Sequence, residues 1–120
     1  MYLLDTNILI LYLAGNNVVK PYIEVRGAAP FISTITVAEL LSHPKLSSGK
    51  LVEIKDFLSG FKILDFDNNT AYVTASLRRK HKGLKLPDAI LAATAKLFNL
   101  TLVSRDTVFK NVKEIKVVIP

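Results

Sequence analysis

Leu86-Pro87-Asp88-Ala89-Ile90-Leu91-Ala92-Ala93-Thr94-Ala95-Lys96-Leu97-Phe98-Asn99-Leu100-Thr101-Leu102-Val103-Ser104-Arg105-Asp106 is the stretch from which the fold is read. Its first half reads as a helix over 87–97. Pro87 suits a first helical position, where a missing N–H costs nothing. Residues 90–98 are apolar almost all round, as in a helix buried against a sheet or a subunit interface. Ala89, Ala92, Ala93 and Ala95 permit close approach. The second half, 100–104, is a β-rich run and reads as a strand. An aspartate marks each part: Asp88 in the first turn of the helix, Asp106 just past the strand.

The same alternation extends outward in both directions. Strands are expected over 2–4, 30–33, 62–66 and 115–119. Helices are expected over 7–13, closed by Gly15, over 18–25, and over 36–42, stopping before His43-Pro44 because the residue before proline avoids helical geometry. Residues 48–58 form an amphipathic helix, with Leu51, Ile54 and Leu58 on its apolar face. Another helix covers 69–81 and stops at Gly83. The order is β-α-α-β-α-α-β-α-α-β-β. Strands separated by helices form a parallel sheet with helices on both faces. The expected fold class is α/β, a three-layer α/β/α sandwich with a mainly parallel central sheet.

Length and composition set bounds. A chain of 120 residues, half of them hydrophobic, is expected to form one domain over 1–120 with a core of its own. There is no cysteine, which excludes disulfides, thiolate metal sites and cysteine nucleophiles. Its absence fits a reducing cytoplasm, the expected location. The apolar run from Ile8 to Ala14 has no Lys or Arg before it and is far short of the ~20 residues that span a bilayer. It is read as a buried helix, and no membrane association is expected. The net charge of +6 favours polyanions. No Gly-rich phosphate loop is present. Two histidines, His43 and His81, sit in no nucleophile motif.

Four carboxylates fall where the strands end. Asp5 closes the first strand and Asp106 follows the strand over 100–104. Glu39 is read in the first turn of the helix after the second strand, and Asp88 in the first turn of its own. In open α/β sheets ligands bind outside the carboxyl ends of the strands. Each acid also has an ordinary explanation. Asp5 fits an N-cap. Thr36-Val37-Ala38-Glu39 fits a capping box. Asp88 suits a helix dipole, and Asp106 a turn bonded to its own backbone. Their joint presence has a chemical reading. Four carboxylates at one edge repel each other, and a hard divalent cation removes that cost. Mg²⁺ and Mn²⁺ prefer oxygen ligands. Such a centre lowers the pKa of bound water and stabilises charge on a phosphoryl group, the equipment for phosphodiester hydrolysis.

These residues resemble the motifs of the PIN-domain family. Leu4-Asp5-Thr6-Asn7 resembles the opening DTN signature. Thr36-Val37-Ala38-Glu39-Leu40 resembles the second motif, a helix-borne glutamate. Residues 86–95 resemble the third, an aspartate followed by an IAA-like helix. Leu102-Val103-Ser104-Arg105-Asp106 resembles the fourth. The motifs occur in order over nearly the whole chain. Small members of the family are mostly toxins of VapC type, ribonucleases held inactive by a cognate antitoxin. The resemblance implies an endoribonuclease with Asp5, Glu39, Asp88 and Asp106 as catalytic residues and metal ligands. It implies Asn7 and Ser104 as supporting polar groups, Mg²⁺ or Mn²⁺ as cofactor, an antitoxin partner and a homodimer. There is one departure. Many members carry a further acid two places after the fourth motif's aspartate, ahead of a phenylalanine. Val108 stands there, before Phe109. The resemblance thus implies a centre with fewer ligands.

Arg78, Arg79, Lys80, Lys82 and Lys85 form the densest basic cluster, immediately before Asp88. With Arg105 they are candidates to hold an RNA backbone. Their competing role is to complement a helix C-terminus. Two alternatives share the fold: an RNA-processing nuclease outside a toxin system, and a non-catalytic PIN-like module that binds RNA or protein. A receiver domain would need an acidic pair at the end of its first strand, where only Asp5 stands.

Overall fold

Leu3 and Leu4 point to opposite sides of the sheet, and so do Leu102 and Val103, because side chains alternate along a strand. The core is therefore double. Leu3 and Leu102 join Leu77, Leu91, Ala92 and Phe109 in one cluster. Leu4 and Val103 join Ile8, Leu9, Ile32, Ile54 and Leu58 in the other. Continuous apolar strands covered on both faces are what a parallel sheet requires.

The computed structural model describes all residues, Met1–Pro120. The elements run β1 (Tyr2–Leu4), α1 (Thr6–Leu13), α2 (Lys20–Ile23), β2 (Phe31–Ser33), α3 (Thr34–Leu40), α4 (Ser48–Leu58), β3 (Lys62–Leu64), α5 (Asn68–Lys80), α6 (Leu86–Phe98), β4 (Thr101–Val103), a 3-10 helix (Thr107–Asn111) and β5 (Lys116–Val118). The five strands form one sheet in the order β3-β2-β1-β4-β5, and every pair is parallel. The expected α/β/α sandwich is the fold observed. Helix α6 is the most enclosed. Every residue from 89 to 95 is buried, and the helix ends at Asn99 in the left-handed region, where asparagine is tolerated.

Several expectations are corrected. Helix α3 starts earlier than its Thr36-x-x-Glu39 pattern predicts. Ser33 is its N-cap, accepting from the Ile35 N–H. Within Ser33-Thr34-Ile35-Thr36 the first hydroxyl, on the last residue of β2, takes the cap, so no capping box forms. Thr36 is instead buried inside the helix, its hydroxyl without a hydrogen-bond partner. Helix α1 is not wholly buried: Ile8 and Leu9 are, whereas Ile10 is 53% and Leu13 48% exposed. Strand β3 stops at Leu64 rather than 66, because the Phe66 N–H is taken by the Thr34 hydroxyl and Asp67 caps α5. The 3-10 helix after Asp106 was not expected. It lies in the crossover that lets β5 run parallel to β4, a connection of about a dozen residues. No helix is long and apolar enough to cross a membrane.

Candidate functional site

Strands β1 and β4 are neighbours, but the chain leaves them in opposite directions across the sheet, toward β2 and β3 from one and toward β5 from the other. Loops that diverge at such a switch point open a crevice at the carboxyl edge. Asp5 is the first residue beyond β1 and Ser104 the first beyond β4. The register Leu4↔Val103, carried one residue on, sets them side by side.

Three donors hold Asp5, which is only 8% exposed. The Thr6 N–H donates to Oδ1 at 2.7 Å. The Ser104 hydroxyl donates to Oδ2 at 2.7 Å, and Asn7 Nδ2 to the same oxygen at 3.3 Å. Asp5 does cap α1, but at its first N–H rather than the usual second or third. Its other oxygen is meanwhile held toward Ser104. Asn7 also reaches the Ser104 hydroxyl, at 3.4 Å, and accepts from the Arg105 N–H. Ser104 Oγ accepts from the Asp106 N–H at 3.0 Å. Burial pushes the Asp5 carboxyl above its ordinary range. The bonds from Ser104 and Thr6 oppose this, and the charges of Glu39 and Asp106 add to it.

The other acids approach from three further segments. Glu39 is exposed and is the sixth of the seven residues of α3, not in its first turn as expected. Freed from a capping box, its Oε1 accepts from the Thr6 hydroxyl at 2.8 Å. Asp106 is exposed and caps the 3-10 helix through the Val108 N–H. Val108 itself packs against the core. Asp88 is half-buried in the first turn of α6, whose cap residue Lys85 offers no side-chain bond. Its carboxyl is pushed up to about 6, first by burial and then by the charges of Asp106, Asp5 and Glu39, with Lys85 pulling the other way. The chain's ion pairs are Lys20–Glu24, Lys50–Glu53 and His81–Glu114, and none engages these four acids. The carboxylates feel one another's charge but do not meet at a point. No three His, Asp or Glu side chains are positioned to grip one ion. They line none of the chain's cavities and stand on an open edge.

The basic cluster divides. Lys85 acts on Asp88. Arg78 is turned to the Leu84 carbonyl, with its Nε at 3.2 Å. His81 Nε2 binds the Glu114 carboxylate at 2.9 Å, and the Lys80 charge bears on Glu114 rather than on the acids. Arg78, Arg79, Lys80 and Lys82 remain exposed around this turn, and Arg105 is exposed beside Asp106.

A family model for the PIN domain matches residues 2–115. The chain belongs to the PIN-domain family. Among solved structures it is similar to a toxin–antitoxin complex from Klebsiella pneumoniae, with 34% identity and a TM-score of 0.84, covering 98% of this chain and 96% of that one. It is similar to FitAcB from Neisseria gonorrhoeae at 32% identity and a TM-score of 0.79, with the same coverage of 98% and 96%. The fold also matches VapBC2 from Rickettsia felis bound to a promoter DNA fragment, at 24% identity and a TM-score of 0.85, over 98% of this chain and 96% of that one. No curated protein matches in sequence. Of the PIN motifs, DTN holds one residue whose contacts its sequence does not announce. Thr6 touches two of the four acids. The signal was its place directly after Asp5, but its reach to a glutamate 33 positions away is visible only in the fold.

Proposed function

We propose that this PIN-domain chain is a Mg²⁺- or Mn²⁺-dependent endoribonuclease, the toxin of a VapBC-type toxin–antitoxin pair. One observation carries the reading. Four carboxylates from separate segments stand at the carboxyl edge of the sheet with no ion pair to any of them, and their charges add to the burial that pushes Asp88 up to about 6. Such a charge excess calls for a cation, and an all-oxygen donor set suits a hard one. Asp5, Glu39, Asp88 and Asp106 are the residues that would hold it, drawn closer together than they stand without it. When bound, the ion lowers the pKa of water and neutralises charge on a phosphoryl group.

The chain's own residues do the rest. Ser104 and Asn7 fix the direction of Asp5, so one acid is set before anything binds. Asp88, without a metal, exchanges its proton near pH 6. Arg105 and Lys85, exposed near the acids in sequence, would meet phosphates. Arg78, Arg79, Lys80 and Lys82 extend the positive surface around the turn before α6, where they would follow a longer strand. An open edge fits an extended polymer better than a small molecule, which takes an enclosed pocket.

The toxin assignment draws on likeness to the Klebsiella pneumoniae toxin–antitoxin complex over 98% of the chain. An antitoxin partner, a homodimer and a cytoplasmic location belong to the same proposal. The exposed Ile10 and Leu13 on α1 offer apolar surface of the kind a protein partner covers.

The test is RNA cleavage by purified protein with Mg²⁺, with Mn²⁺ and with chelator, beside Asp5→Asn and Asp88→Asn proteins. Metal-dependent cleavage lost in both variants supports the reading. Cleavage that persists in the variants rejects the site. Tight RNA binding without cleavage moves the assignment to a non-catalytic module. Growth arrest on expression, relieved by a co-expressed neighbouring gene, distinguishes a toxin from a processing nuclease.

A further inference from the structure

Thr6 is the first residue of α1, and both of its donors are spent on acids. Its N–H donates to Asp5 Oδ1 at 2.7 Å and its hydroxyl to Glu39 Oε1 at 2.8 Å. The two acids differ sharply in how else they are held. Asp5 is buried and also bonded by Ser104 and Asn7. Glu39 is exposed, stands near the end of a short helix, and has Thr6 as its one hydrogen-bonding partner among the side chains. A glutamate has three side-chain torsions to lose, and free rotation would spread its carboxylate over many positions.

The geometry points to Thr6 as a positioning residue that holds Glu39 at a set distance from Asp5, with Glu39 Oε2 left free for a cation. This rests on the metal-dependent reading above. Threonine suits the task better than serine in one respect. Its β-branch limits χ1, so the hydroxyl direction is narrowed before Glu39 arrives. It suits better than valine in another, since only a hydroxyl can donate. Outer groups that orient metal ligands typically govern metal affinity by 10–100-fold.

The experiment is Mn²⁺ binding to the RNA-free protein, by titration calorimetry and by manganese paramagnetic resonance. It uses wild type, Thr6→Val, Thr6→Ser, Glu39→Gln and the Thr6→Val/Glu39→Gln double variant. Thr6→Val keeps the shape and the N–H and removes only the hydroxyl. The expected result is Mn²⁺ affinity weakened roughly 10-fold or more in Thr6→Val and restored to within about threefold of wild type in Thr6→Ser. In the Glu39→Gln background Thr6→Val should cost almost nothing further, because the two residues act as a unit. Wild-type affinity in Thr6→Val would overturn the proposal. So would an equal loss with and without Glu39, which would mark Thr6 as merely structural. If wild type itself neither binds Mn²⁺ nor cleaves RNA, the metal-dependent reading fails and this proposal falls with it. If wild type binds and cleaves while the variants behave additively, only the role of Thr6 is rejected.

Discussion

Asp5 sits at the end of β1, beside the end of its parallel neighbour β4, with three donors around it, whereas Asp88 at the start of α6 is raised by burial and like charge with no hydrogen bond to offset them. Both stand at the same open edge, and the Asp5 charge acts on Asp88. The strand-end acid is held by groups that come with the sheet: the first N–H of α1, the hydroxyl one residue past β4, and the side-chain amide of the second residue of the helix. The helix-start acid has only the favourable end of the α6 dipole and the nearby Lys85 charge. The site therefore has a rigid half and an electrostatically stressed half. In the rigid half, hydrogen bonds oppose the cost of burying charge. In the stressed half that cost is left standing.

The largest effect expected is on activity, and it should not respect the difference in how the acids are held. Asp5→Asn and Asp88→Asn should each lower RNA cleavage by on the order of 10²–10³-fold, comparable to losing one electrostatic group from a preorganised site. Single-turnover assays at saturating Mn²⁺ would measure it. A deep loss for Asp5→Asn beside a mild one for Asp88→Asn would break the comparison, by showing that α6 contributes field rather than a ligand.

Stability should separate the two halves. Ser104→Ala leaves the buried Asp5 carboxylate short of a donor, which costs roughly 1–3 kcal/mol at pH 7. Urea unfolding of the metal-free protein would read this. The Ser104 hydroxyl favours the charged form of Asp5, so the penalty should shrink at acid pH as Asp5 takes up its proton. An equal penalty at pH 4 and pH 8 would mean that the hydroxyl matters to packing or to the Asp106 N–H rather than to the Asp5 charge.

Asp88→Asn should do the opposite and stabilise the metal-free protein. The folded carboxyl titrates at about 6 against an ordinary value of 3.8. Between those values the folded chain binds more protons than the unfolded one, so stability falls as pH rises through the window. Above pH 6 the whole penalty is present, and below pH 4 none is. Asparagine cannot ionise and removes it. The expected gain in Tm at pH 7.5 is on the order of a few degrees and should vanish near pH 4. Adding Mn²⁺ should reverse the order of the two proteins, since only the wild type retains the full donor set. A variant less stable than wild type at every pH would show that the Asp88 carboxylate is well accommodated without metal.

Much of this site was legible in the sequence. Asp5, Asp88 and Asp106 are tied to the ends of elements whose apolar patterns are strong, so their shared edge followed from the βα order. The helix start at Asp88 was legible because Pro87 punctuates it. Glu39 was read in a first turn closed by a capping box, whereas it stands late in α3 and bonds Thr6 instead. The Ser33-Thr34-Ile35-Thr36 run offers three hydroxyls as caps, and only the end of β2 decides that Ser33 takes the role. The 3-10 helix after Asp106 was hidden because five residues carry too little periodicity to see. The contact of Thr6 with Glu39 is a tertiary fact, as is the turning of Arg78 and His81 toward Leu84 and Glu114. A run of basic residues shows charge, but not which way each member faces.

The smallest effect concerns Lys85, the one basic residue of that run whose charge bears on Asp88. Its cation favours the ionised carboxylate, so Lys85→Gln should move the Asp88 titration upward from about 6. Lys85 is exposed, and exposed charge pairs are worth at most ~1 kcal/mol. One pH unit corresponds to ~1.4 kcal/mol, so the movement should stay under one unit. Carboxyl ¹³C chemical shifts followed against pH in metal-free protein would resolve it. The same variant should leave Asp5 nearly unmoved, because the groups that act on Asp5 are Ser104, Thr6, Glu39 and Asp106. If Asp5 moved as far as Asp88, the two acids would be titrating as one coupled unit. The division into a rigid and a stressed half would then give way to a single shared proton.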